Sequence, residues 1–251
     1  MAYTGGRIDF HTHILPGVDD GSRSSEESIQ MLCASSKDGV DGVVLTPHFY
    51  ADGDDPEKFL SRRSRAYSIL LEALDKVSDM KTPHLILGSE VEYFEGILCM
   101  RDYPELRIGK SGCLLLEMPH GAWTSRMVDD ILQLNEFKGF RVVLAHVERY
   151  LFAQKKDIIH VLLENGVLMQ SNASFFTDRM TTCKAIRKLK HGYIHLLGSD
   201  CHNLTTRAPN LGDACSTIIK RAGEELLEEL MQGAQQLLCK DLSVMCRISE
   251  R

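Results

Sequence analysis

Seven short apolar runs, rich in branched side chains, alternate along the chain with stretches of helical periodicity: RIDFH, GVVLTPH, HLILGSE, CLLLEMP, RVVLAH, VLMQSN and IHLLGSD. Continuous apolar strands separated by amphipathic helices belong to a parallel sheet buried on both faces, and seven such units close into a barrel more readily than they stay open. The expected fold is therefore α/β, a seven-stranded β/α barrel. Ser24 and Glu27 fit a capping box that opens a helix running toward Gly39, and Asp55 followed by Pro56 opens a second through Leu74. Further helical patterns span residues 125–137, 155–165, 180–191, 213–222 and 224–238, while 15–25, 49–55 and 177–179 read as long surface loops.

At 251 residues and 43% hydrophobic content the chain suffices for a single domain over 1–251 with a large core. Its formal charge of -6 supplies no overall basic field for a nucleic-acid backbone or an anionic membrane. The N-terminus lacks an apolar leader, and no stretch reaches the ~20 apolar residues of a membrane helix, so a cytoplasmic protein without direct membrane insertion is expected. Cys33, Cys99, Cys113, Cys183, Cys201, Cys215, Cys239 and Cys246 are scattered without a C-x-x-C pair and read as reduced thiols.

The chemistry lies where the strands end. His11 and His13, His48, Glu90, Glu117, His146, and Asp200 with His202 all fall at or just past strand C-termini. In a parallel barrel these ends share one mouth. His11-x-His13 turns two imidazoles to the same side of an extended strand, and Asp200-x-His202 repeats that spacing. A buried carboxylate such as Glu90 or Glu117 costs several kcal/mol unless it is paired or holds a cation. The mixed nitrogen and oxygen set suits Mn, Zn or Fe. Two or three adjacent divalent ions would bind a phosphate and lower the pKa of a coordinated water toward ~7. Arg149 and Arg207 stand close in sequence to His146 and His202, and their planar guanidinium groups suit phosphate oxygens, although exposed arginines are also ordinary ion-pair partners. Asp19 and Asp20, in a glycine-flanked loop, read as turn residues. Cys201 with Arg207, and Cys215 with Arg221, match the C-x-x-x-x-x-R spacing of cysteine-dependent tyrosine phosphatases, but neither segment has the glycines of a phosphate-cradling loop, and the second falls in a helical pattern.

In this order, IDFHTHILPGVDDGSRSSEESIQML, GVVLTPHF, GSEVEYF, LLLEMP, LAHVERY and GSDCHNLTTRAP resemble the polymerase and histidinol phosphatase (PHP) family over residues 8–211. More narrowly they resemble its CpsB/YwqE type, bacterial manganese-dependent protein-tyrosine phosphatases associated with capsular or exopolysaccharide synthesis. The resemblance implies a distorted (β/α)7 TIM-like barrel with up to three Mn2+ ions at the C-terminal ends of the strands, Zn2+ or Fe2+ being alternatives. Position by position, it implies a first metal on His11, His13, Glu90 and Asp200. A second would be bridged by Glu90 with Glu117 and His146, and a third held by Asp20, His48 and His202, with Arg149 and Arg207 clamping phosphate. The implied substrate is the phosphorylated tyrosine-rich tail of a bacterial tyrosine kinase. A PHP-type histidinol phosphatase or other small-molecule phosphomonoesterase shares the same constellation, and a non-catalytic metal-stabilised binding module is a third reading. This chain departs from the family in carrying Val147 where Pro is common, and beyond residue 211 no feature is matched.

Overall fold

The computed structural model describes residues 6–77, 81–137 and 139–245. Its strands are β1 (Arg7–Thr12), β2 (Val40–Leu45), β3 (His48–Phe49), β4 (His84–Leu87), β5 (Glu90–Glu92), β6 (Cys113–Glu117), β7 (Arg141–Leu144), β8 (Leu168–Asn172) and β9 (Leu196–Gly198). The helices are α1 (Ser25–Lys37), α2 (Pro56–Leu74), α3 (Ser125–Glu136), α4 (Lys156–Glu164), α5 (Ser174–Thr177), α6 (Thr182–Lys190), α7 (Leu211–Ala222) and α8 (Glu224–Met245).

All strand pairings are parallel, in the orders β1-β2-β4 and β3-β5-β6-β7-β8-β9. Two of the expected runs are each cut in two. Pro47 separates β2 from β3 because it has no N–H to continue the ladder, and Thr46 covers the gap by donating its N–H to the Thr12 carbonyl at 2.9 Å. Gly88 separates β4 from β5, where a Cβ would stand 2.8 Å from Ile108 Cγ1. With each cut run counted once, the seven expected strands are present. The barrel is distorted where Ile108 and Gly109 wedge between β4 and β6, Gly109 donating to the Leu87 carbonyl (2.7 Å) and Ile108 to the Cys113 carbonyl (2.8 Å). The ends of the series meet at the mouth, where Asp200 N–H donates to the His11 carbonyl (2.8 Å) and His13 N–H to the Cys201 carbonyl (2.9 Å).

Local signals fixed the helix starts. Ser24 Oγ accepts the Glu27 N–H, and Asp55 caps α2 ahead of Pro56. The Glu27 carboxylate bonds Arg23 N–H at 2.9 Å, one residue before the position a capping box requires. Inside the barrel, Ile8, Phe10, Val44, Ile86, Leu115, Val143 and Leu196 form one buried cluster, which Ala234 and Leu238 of α8 complete. The C-terminal region, in which the motifs showed no feature, supplies the helix that closes the barrel opposite the mouth, and α8 runs to Met245, beyond the expected end at 238. Each fully buried Leu, Ile or Phe contributes roughly 1.5–3 kcal/mol. The polar mouth therefore rests on an apolar floor. Among the described residues no helix is long and apolar enough to cross a membrane. Seven of the cysteines are free, and Cys246 lies outside the described residues.

Candidate metal centre

The alternation of β1 carries His11 and His13 to the same side, and both imidazoles are fully buried. His11 Nδ1 lies 3.1 Å from Gln170 Oε1, and His13 Nδ1 lies 2.7 Å from Asp19 Oδ2. These acceptors hold the ring protons on Nδ1, which turns both Nε2 lone pairs inward. The two Nε2 atoms are 3.0 Å apart, with Glu90 Oε2 at 3.0 and 3.2 Å and Asp200 Oδ1 at 3.6 and 3.4 Å. Lone pairs and carboxylate oxygens facing one another at these distances repel unless protons or a cation lie between them.

The same arrangement continues across the mouth. His146 Nε2 stands 2.9 Å from Glu90 Oε1 and 3.1 Å from Glu117 Oε1. His48 Nδ1 faces Glu90 Oε2 at 3.1 Å, and its Nε2 lies 3.7 Å from Asp20 Oδ1. His202 Nδ1 donates to the Asp200 carbonyl at 3.0 Å, leaving Nε2 aimed at Asp20 Oδ1, 3.3 Å away. His48 Nδ1 and His202 Nε2 are both buried without a hydrogen-bond partner. Orphaned lone pairs beside carboxylates are a donor set built for cations, so the residues present fit a group of divalent ions.

Three sets offer ligand atoms within 4.8 Å of one another: His13, Asp20, His48 and His202; His11, His13 and Asp200; and His48, Glu90 and Glu117. These sets divide the residues differently from the family-implied scheme, since His13 and His48 each face two sets. His146 joins through its contacts with Glu90 and Glu117. All nine expected positions therefore converge at the mouth.

Electrostatics follow from burial and these contacts. Burial alone would raise the Glu90 carboxyl, but the His11 charge and the hydrogen bonds from His11, His13 and His146 hold it well below the carboxylate range. Asp200 is likewise held low, against burial, by His11 and His13. Burial opposes protonation of His146, yet Glu117 and Glu90 push it up to about 9. Burial, with His13 and Arg207 beside it, draws His202 down to about 4. The carboxylates thus stay ionised, and cations that bind here displace imidazole protons. His146 (φ 33°) and Asp200 (φ 54°) are the non-glycine residues with left-handed backbone among those described. Both sit just past a strand end, where strain marks functional positions.

Both arginines reach the site. Arg149 Nη1 donates to Glu117 Oε1 at 3.0 Å, and its Nη2 is 3.5 Å from Asp200 Oδ2. Arg207 Nη2 meets the same Asp200 oxygen at 2.6 Å. Their side chains are 33% and 40% exposed, so solvent-borne groups can reach them. Cys201, in contrast, is fully buried and its thiol is pushed far up by that burial; Cys215 lies inside α7 and is pushed up to about 11 by burial. Neither thiol has the thiolate-stabilising setting that nucleophilic catalysis needs.

Several residues that position the candidate ligands escape a search for ligand types. Asp19 accepts from His13 Nδ1 and from the backbone N–H groups of His48 (2.9 Å) and Gly21 (3.0 Å), so it holds the His13 ring in place rather than only turning the chain. Gln170 Oε1 serves His11 and the His146 N–H (2.7 Å), and Asn172 Nδ2 donates to Asp200 Oδ2 (2.8 Å). Their signal is present in VLMQSN, where polar residues two apart end an otherwise apolar strand. Buried Asp9 accepts from Ser199 N–H (2.8 Å) and His11 N–H (3.4 Å), joining β1 to β9 beneath the site.

Comparison with known proteins gives a consistent picture. The chain matches the family described as capsular polysaccharide synthesis, CpsB/CapC, over residues 7–239. It is 27% identical over 239 residues to the tyrosine-protein phosphatase YwqE of Bacillus subtilis, covering 92% of this chain and 91% of that one. It is 28% identical over 249 residues to the tyrosine-protein phosphatase CpsB of Streptococcus agalactiae serotype V, covering 92% and 98%. A solved structure from crystallographic work on YwqE of B. subtilis and CpsB of Streptococcus pneumoniae, described as unique metal-dependent tyrosine phosphatases, superposes with a TM-score of 0.79 at 25% identity, covering 92% of this chain and 94% of that one.

Proposed function

The chain belongs to the CpsB/CapC family of capsular polysaccharide synthesis proteins, and from that premise we propose that it is a metal-dependent protein-tyrosine phosphatase acting in capsule or exopolysaccharide regulation. One observation carries this reading: His11 Nε2 and His13 Nε2 face each other at 3.0 Å among ionised carboxylates, within the reach of two guanidinium groups. We assign His11, His13, Asp20, His48, Glu90, Glu117, His146, Asp200 and His202 as ligands of up to three Mn2+ ions, within a single domain spanning 1–251. Bound divalent ions supply Lewis acidity, activating water and offsetting charge on phosphoryl oxygens. Arg149 and Arg207 grip the non-bridging oxygens and orient phosphorus for in-line attack, and no side chain becomes phosphorylated. The substrate is the phosphorylated tyrosine-rich tail of a tyrosine kinase, met in the cytoplasm.

The test compares a phosphotyrosine peptide, a phosphoserine peptide and histidinol phosphate, with Mn2+ and with chelator, for wild type and His11→Ala. Chelator-sensitive release from phosphotyrosine that His11→Ala abolishes is expected. Preference for histidinol phosphate would move the protein to small-molecule chemistry, and metal binding without any hydrolysis would make it a binding module.

A further inference from the structure

The net charge of -6 conceals an asymmetry. Residues 179–199 contain Arg179, Lys184, Arg187, Lys188 and Lys190 and no carboxylate, and Lys155 and Lys156 open α4 nearby. The Lys and Arg ion pairs among the described residues involve Arg62, Lys81, Arg101, Arg149 and Arg207, and none involves this group. Aromatic contacts instead order it. Lys188 Nζ lies 3.9 Å from the centroid of the Tyr193 ring, whose hydroxyl meets His160 of α4 at 3.0 Å, and Lys184 Nζ lies 5.3 Å from the centroid of Phe152. Phe152 is 57% exposed and follows Arg149 by three residues, so its contact with Lys184 ties the cations to the segment that carries Arg149. Burial and the neighbouring charges of Arg187 and Lys156 lower the Lys188 pKa, a sign of like charges held together without an anion.

We propose that this strip, leading from Phe152 along the exposed sides of α4 and α6, docks the acidic residues that flank the phosphotyrosine of a peptide substrate. The inference rests on the phosphatase reading above and adds its specificity for sequence context. A narrow peptide lying on α6 meets Lys184, Arg187, Lys188 and Lys190 with no carboxylate among them, exposed Asp157 and Asp178 bordering the strip, and charges beyond the ~8 Å Debye length are screened at physiological salt. Rim charges of this kind act mainly on encounter and apparent affinity, leaving the chemical step unchanged.

The experiment uses the full chain loaded with Mn2+ and two phosphotyrosine peptides of one core, with either glutamates or glutamines flanking it, alongside p-nitrophenyl phosphate. For wild type, KM should be about tenfold lower for the acidic peptide. Lys184→Glu combined with Lys188→Glu should erase that preference, with kcat and the p-nitrophenyl phosphate kinetics unchanged. Equal KM values for the two peptides in wild type, or equal losses on both in the variant, would overturn the proposal. Binding to vesicles containing phosphatidylserine that the variant loses, without any peptide effect, would overturn it in favour of a membrane contact. If neither peptide nor p-nitrophenyl phosphate is hydrolysed, the phosphatase reading fails separately. Fluorescence anisotropy with the acidic peptide then still reads the strip, charge-sensitive binding supporting it and its absence refuting it.

Discussion

Asp19→Asn separates holding a ligand from being one. Asp19 Oδ2 receives His13 Nδ1 at 2.7 Å and His48 N–H at 2.9 Å, while Oδ1 receives Gly21 N–H at 3.0 Å. Asparagine placed with its oxygen toward His13 and His48 keeps those two bonds without the charge, and sets its amide against the Gly21 N–H. The flipped amide sets donors against both His13 and His48 and is worse. The charge-assisted bond to His13 falls to a neutral one, a loss of about 1 kcal/mol, and the orphaned Gly21 donor adds about 1 kcal/mol more. The Gly21 penalty is the same with and without metal and falls on folding stability, so the weaker hold on His13, about 1 kcal/mol, lowers cation affinity roughly 5-fold. Asp20, 67% exposed with its oxygen 3.3 Å from His202 Nε2, sits where a ligand would. Calorimetric titration of metal-free protein with Mn2+ should show weaker binding at unchanged stoichiometry for Asp19→Asn, and the loss of one ion for Asp20→Ala. Wild-type affinity in Asp19→Asn, or the same stoichiometric loss in both variants, would refute the division of roles.

Three further outcomes follow from buried groups. Cys201→Ala should retain kcat within about twofold, because a thiol that burial holds protonated is no nucleophile; a loss above about 100-fold in phosphotyrosine hydrolysis would restore the cysteine mechanism. Arg63 of α2 donates to the Gly88 carbonyl and to Ser89 Oγ, both at 2.8 Å, just before Glu90, so Arg63→Met should cost about 2 kcal/mol in urea unfolding, and an unchanged midpoint would show that the kink holds itself. His195 Nδ1 accepts the Met169 N–H at 3.1 Å, which requires neutral imidazole, and burial lowers its pKa below the ordinary 6.5. The unfolded chain therefore binds the extra proton first, so this contribution is complete above 6.5 and is lost as pH falls through and below that value. His195→Asn keeps an acceptor without the titration and should flatten the decline in urea midpoint between about pH 7 and about pH 5; an unaltered decline would assign it to other groups.

The strand runs and the helix caps were legible because each is a local pattern: apolar runs for β1, β6, β7 and β9, and Ser24 and Asp55 at the helix starts. The cuts at Pro47 and Gly88 were not legible as breaks. Each run continues in the same direction and keeps its neighbour, His48 of β3 pairing with Glu90 of β5 as β2 pairs with β4. The wedge at residues 108–109 was equally hidden, since its bonds reach Leu87 and Cys113 from a segment with no strand period. At the site, residue types that bind metals announced themselves, whereas the groups holding them did not. Gln170 and Asn172 look like an ordinary polar strand end until β9 brings Asp200 alongside. The strip on α6 was hidden for a different reason: a net charge sums over the whole chain and carries no information on where the cations gather.

Asp200 ties the imidazole cluster and the guanidinium groups of this mouth into one electrostatic unit. Its Oδ1 faces the imidazoles of His13 at 3.4 Å and His11 at 3.6 Å, and its Oδ2 takes Arg207 at 2.6 Å, Asn172 at 2.8 Å and Arg149 at 3.5 Å. One carboxylate cannot lend its full charge to both sides. Whatever draws electron density toward Oδ1 weakens the hold of Oδ2 on the guanidinium groups and leaves them better able to take up another anion. The backbone at Asp200 is left-handed, φ 54°, just past the end of β9, a conformation that a non-glycine residue keeps only where its surroundings hold it. The arginines that the sequence offered as phosphate clamps are thus tied, through Asp200 and Glu117, to the state of the imidazole cluster beneath them.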